Sequence, residues 1–111
     1  VAAEINVAYK RPVIELTIED TYYNMYDQVA PHEEYLERAR AAMLRAGVTP
    51  HTSPIRGGTD GARLSYMGLP CPNLFTGGAN FHGKYEYASL DTMCRSVETL
   101  VYLLTEAPTA G

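Results

Sequence analysis

The residues able to do chemistry cluster in one stretch. Pro54 to Glu86 holds seven of the nine glycines, three of the seven prolines and His82, which lies in the loop Gly77-Gly78-Ala79-Asn80-Phe81-His82-Gly83-Lys84. A neutral imidazole can bind a metal through one ring nitrogen. A zinc site needs three or four protein ligands, and His32 and His51 have no ligand spacing to His82 or to each other. His32-Glu33-Glu34 is not H-E-x-x-H; it reads as a helix start with acidic residues at the positive end of the dipole. One histidine makes no metal centre. Either His82 is an ordinary surface or hydrogen-bonded residue, or its fellow ligands lie outside these residues.

Arg56 is the second candidate. It directly precedes Gly57-Gly58, and a guanidinium there could hold a carboxylate through two parallel hydrogen bonds. A surface ion pair fits the same position equally well. Gly57-Gly58-Thr59-Asp60-Gly61 lacks the spacing G-x-G-x-x-G and reads as a tight turn feeding a helix, with Thr59 or Asp60 as the cap. Gly78 to Lys84 fits G-x-x-x-x-G-K, but Tyr85 stands where a phosphate loop needs Ser or Thr. The tyrosines Tyr22, Tyr23, Tyr26 and Tyr35 read as core-edge residues, apolar in body and polar at the tip.

The positioning elements follow from periodicity. Residues 1–11 predict the last turns of a helix, closed by Lys10, Arg11 and Pro12. The helix opens at Val1 without a cap, so the chain is expected to be a piece of a longer one. Residues 13–23 alternate in the manner of a strand with one wet face, and residues 24–30 read as irregular. Pro31 to Ala46 predicts a helix with Tyr35, Ala39, Ala42, Met43 and Ala46 buried and Gly47 as its C-terminal stop. Residues 49–55 predict a short strand, Thr59 or Asp60 to Met67 a short helix ended by Gly68, and residues 73–76 a buried strand ended by Gly77-Gly78. Tyr85 to Tyr87 reads as extended. Ser89 caps a last helix with a stripe of Leu90, Met93, Val97, Leu100, Val101 and Leu104, and the tail from Ala107 reads as frayed. Such alternation of helices and strands predicts an α/β layer structure.

Composition bounds the partners. A length of 111 residues supports one modest core. A net charge of −4 argues against nucleic acid, and no apolar run approaches the ~18 residues of a membrane span. No secretory leader is expected. Cys71 and Cys94 are too few for a disulfide scaffold and read as reduced thiols, which points to the cytoplasm.

On the runs Glu19 to Met25, Pro54 to Ala62, Leu64 to Gly78 and His82-Gly83-Lys84, the chain resembles the C-terminal part of tripeptide-cleaving members of the two-zinc aminopeptidase, aminoacylase and carboxypeptidase family. The likeness extends from about residue 13 to about residue 104. It implies that residues 1–23 are the last helix and strand of an inserted α/β lid domain and that residues 24–111 are the C-terminal segment of the catalytic domain. His82 would be the final ligand of a two-zinc site. The other ligands (a His in H-x-D, a bridging Asp, an acidic residue beside a catalytic Glu, and a later Asp) would lie before Val1, so no catalytic residue is expected in these residues. Arg56 and Asn24 would face a tripeptide substrate, while Gly57, Gly58, Asp60, Gly77 and Gly78 would shape turns and caps. Ala79 departs from the pattern, which carries an aromatic there. By this resemblance the isolated chain is inactive and exposes surface that the remainder of the polypeptide, or a second copy, would cover. The alternative is a non-catalytic binding or structural module that kept the scaffold; its complete sequence would lack H-x-D and the Glu pair.

Overall fold

The computed structural model describes residues 1–55 and 57–105. Five helices and one hairpin follow one another as α1 (Ala2–Ala8), α2 (Tyr26–Val29), α3 (Glu33–Arg45), α4 (Asp60–Tyr66), β1 (Gly78–Ala79), β2 (Tyr87–Ala88) and α5 (Leu90–Thr105). The architecture is therefore mixed but dominated by helix.

Helix ends obey local chemistry. Past α3, the Gly47 amide donates to Leu44 O at 3.0 Å and Val48 to Met43 O at 2.9 Å, the double bond of a Schellman stop. Past α4, Gly68 and Leu69 repeat it on Ser65 and Leu64. Past α1 the same bonds form from Lys10 and Arg11, with Lys10 in the left-handed position at φ 52° where glycine is usual. Thr59 caps α4, its Oγ1 accepting from the Ala62 amide at 3.2 Å. Asp60 is the first residue inside that helix, so it favours the dipole without serving as the cap. Ser89 Oγ accepts from the Thr92 amide at 3.3 Å and starts α5 as expected.

The strands expected over residues 13–23, 49–55 and 73–76 do not form among the described residues. A strand is defined by its ladder, and these segments meet no second strand. Side chains secure two of them instead. The amide of Asn6 holds residues 13–14: its Nδ2 donates to Ile14 O at 2.8 Å, while its Oδ1 accepts from the Val13 and Ile14 amides at 2.8 and 2.9 Å. Ser96 Oγ on α5 donates to Phe75 O at 2.8 Å. The extended expectation at Tyr85 to Tyr87 is met only at Tyr87, in β2. Residues 24–30, expected to be irregular, contain α2; Asn24 Oδ1 accepts from the Tyr26 amide at 3.1 Å and starts it. Pro31 then sits in a 3-10 turn, Ala30–His32, that runs into α3.

Helices α3 and α5 pack through small groups. Ala39, Ala42 and Ala46 are buried on one side and Thr99 on the other. Arg95 on α5 donates to Ala46 O at 3.1 Å, and Arg45 lies 4.3 Å over the Tyr102 ring. The stripe expected to be buried on the last helix is exposed from Leu90 to Leu104, and Tyr35 on α3 is 40% exposed. The periodicity marks a face suited to burial, but α3 is too narrow to cover it.

The molecule is correspondingly open. Its radius of gyration is 20.2 Å, against about 13 Å for a compact domain of this length. Its accessible surface is 9243 Å², against roughly 6,000 Å² for a compact protein of the same mass. None of the described helices is long and apolar enough to cross a membrane. Cys71 and Cys94 are both free thiols. The tail from Ala107 lies outside the described residues.

Candidate functional site

The hairpin that carries His82 is antiparallel, with Gly78 opposite Ala88 and Ala79 opposite Tyr87. Gly77 leads into it at φ +100°, a conformation side chains rarely adopt. Gly77 O accepts from the Ser89 amide at 2.9 Å, tying the base of the hairpin to the start of α5. A Cβ on Gly77 would come within 2.8 Å of the Met93 amide, and one on Gly78 within 2.4 Å of the Phe81 ring. The backbone contact at Gly77 leaves no space for a side chain, whereas at Gly78 the exposed Phe81 ring would have to move.

Between the strands, Asn80 braces the loop. Its side chain donates to Tyr85 O at 3.2 Å, and its carbonyl accepts from the Gly83 amide at 3.0 Å. That second bond closes a turn whose third residue is His82, at φ 61°. A type II turn places positive φ at this point and normally fills it with glycine. A side chain there costs about 1 to 2 kcal/mol. Backbone strain of this sort collects at functional positions. The imidazole is exposed and has no hydrogen-bond or ionic partner among the described residues, so both ring nitrogens are available. Beside the loop lies a cleft of about 420 Å³ walled by Phe81, Tyr87 and Met93, with Glu86 on its lining.

The other expected residues gather elsewhere, around α4. The Tyr22 ring occupies the space a Cβ on Gly58 would need, its nearest atom 2.0 Å from that point. Gly57 adopts φ +77°, in the left-handed region that favours glycine. Asn24 O accepts from the Tyr66 hydroxyl at 3.0 Å, and the Tyr23 and Tyr66 rings meet at 5.4 Å. Asn24 therefore spends its carbonyl and its Oδ1 on structure, while its Nδ2 donates to nothing among the described residues. Arg56 lies outside the described residues.

The start of α4 is knitted to the loop after it. Thr59 Oγ1 accepts from Asn73 Nδ2 at 3.1 Å. The buried Ser65 hydroxyl donates to Gly61 O at 2.7 Å and accepts from the Cys71 amide at 2.9 Å. Sequence reasoning passed over Ser65, Asn73, Asn80 and Glu86. Only Asn80 carried a local signal, since asparagine tolerates left-handed backbone. Its φ is 55°.

No group of three or more His, Cys, Asp or Glu side chains able to hold a metal occurs among the described residues. His82 offers one donor, and the described residues do not form a zinc site by themselves.

Comparison with known proteins gives these residues a context. Residues 4–106 match peptidase family M20/M25/M40. The chain is 58% identical over 102 residues to Peptidase T of Aeromonas hydrophila, covering 92% of this chain and 25% of that protein. It is 64% identical over 91 residues to Peptidase T of Aeromonas salmonicida, covering 82% and 22%. With Peptidase T of Alkaliphilus oremlandii the identity is 52% over 100 residues, covering 90% and 24%. The chain spans about a quarter of the length of these curated relatives. A family match over nearly all of its residues leaves one assignment: the chain belongs to peptidase family M20/M25/M40.

Proposed function

We propose that these residues are the C-terminal part of a zinc-dependent, cytoplasmic aminopeptidase that releases the first residue of tripeptides. The observation that carries this reading is the family match over residues 4–106, and relatives bearing the name Peptidase T support it. His82 supplies one metal ligand. Its left-handed backbone, and a ring with no partner among the described residues, suit a side chain held out for a task beyond the hairpin. The remaining ligands and the catalytic Glu belong to the rest of the polypeptide.

When bound, two zinc ions would supply an acidified water and a polarised carbonyl. The contribution of this chain is positional. The Gly83–Asn80 bond fixes the turn, Asn80 ties it to Tyr85, and the Ser89–Gly77 bond anchors it to α5. Arg56 and Asn24 would meet the substrate from the lid side, Asn24 through the amide nitrogen its turn leaves free. Residues 1–23 would close the lid domain, and residues 24–111 would return to the catalytic domain.

The test uses the full-length protein and its His82→Ala variant. The wild type should bind about two zinc ions and hydrolyse tripeptides. The variant should lose at least one zinc equivalent by elemental analysis and at least 100-fold in turnover. Full zinc occupancy with unchanged turnover would reject the ligand role. The isolated 111 residues should show no turnover.

A further inference from the structure

The cleft beside the hairpin loop is lined by one acidic side chain, the exposed Glu86, and that group is unspent among the described residues. Its carboxylate makes no hydrogen bond or ion pair among the described residues. The nearest cation in sequence, Lys84, lies over the Tyr85 ring at 5.6 Å. The rest of the wall is mainly apolar, formed by Phe81, Tyr87 and Met93, and the volume is about 420 Å³. This size falls within the usual range for small-molecule sites, about 300 to 1,000 Å³. Gly77 and Gly78 hold the cleft's shape, because a side chain on either would displace Met93 or Phe81.

An anion on an apolar cavity complements a cation attached to an apolar group. The N-terminal residue of a peptide is such a group, with an α-ammonium beside its side chain. We propose that this cleft receives the N-terminal residue of the substrate, with Glu86 accepting from the α-ammonium and Phe81, Tyr87 and Met93 enclosing the side chain. The assignment rests on the aminopeptidase reading, and the cleft shares Phe81 with the loop that carries His82. A free amine would then be required of the substrate, and apolar first residues preferred.

Calorimetry on the full-length protein tests this, with L-leucinamide, its N-acetyl form and glycinamide as probes. Wild type should bind leucinamide at least tenfold more tightly than the acetylated form. Glu86→Gln, which keeps the shape, should weaken leucinamide at least tenfold and leave the acetylated form unchanged. Phe81→Ala should narrow the preference for leucinamide over glycinamide. Leucinamide binding within twofold of wild type in Glu86→Gln, or no binding by the wild type, would overturn the proposal. Tripeptide turnover on the same samples separates the two readings. Turnover with an indifferent Glu86 sinks the cleft assignment alone. Absence of turnover in zinc-loaded wild type sinks the aminopeptidase reading, while the calorimetry still decides the cleft.

Discussion

Two glycine-bearing regions of this chain use the same residue type to opposite ends. Around α4, glycine lets polar groups close on one another. Gly61 brings its backbone under the Cys71 carbonyl and Asn73; Asn73 then donates to Thr59, and Ser65 links the Gly61 carbonyl to the Cys71 amide. In the β1–β2 hairpin, glycine lets side chains come close to the backbone, and the polar groups stay open. His82 sits in strained backbone, and neither it nor Glu86 has a partner among the described residues. The first region is finished within the chain. The second holds groups that meet no partner among the described residues, and this is the difference expected between scaffold and site.

That contrast can be broken by substitution, read as hydrogen-exchange protection in the full-length protein. The largest effect should come from Gly61→Ala. The new methyl would stand 2.5 Å from the Cys71 carbonyl and 2.9 Å from Asn73 Oδ1. The overlap should cost about 2 to 3 kcal/mol in the α4 region, despite alanine's better helix propensity. Unchanged protection of the α4 amides would show that the knot is looser than drawn. Next comes Ser65→Ala, which strips the Cys71 amide of its acceptor in a buried setting and should cost about 1 to 2 kcal/mol locally. If protection at Cys71 survives, that bond is dispensable.

The smallest effect has the opposite sign and sharpens the comparison. His82→Gly relieves the left-handed strain, so the hairpin amides should gain about 1 kcal/mol of protection, even as zinc binding falls. A hairpin that weakens instead would mean the imidazole is structural.

Helix positions were legible because their causes are local. Gly47, Gly68, Thr59 and Ser89 stop or start helices through bonds within a few residues of themselves. Strands were not legible, because alternation over residues 13–23 predicts a face and says nothing of where a ladder would come from. The last helix misled for a related reason. Its apolar period predicted burial, yet among the described residues the one most enclosed on it is Thr99, at 1% exposure, while the stripe itself stays open. At the site, His82 stood out by its type and setting. Glu86 did not, since a single carboxylate between two tyrosines looks like any surface acid until the cleft is seen.

Asn6 carries a consequence for the ageing of the protein. Its amide is both donor and acceptor to Val13 and Ile14, and no other short side chain offers that pair of groups. Slow hydrolysis of the amide would turn residue 6 into an aspartate of almost the same outline. The donor facing Ile14 O would become a second acceptor, and two oxygens would repel where a bond had been. A clasp made by one side chain can thus be undone without any change in the gene.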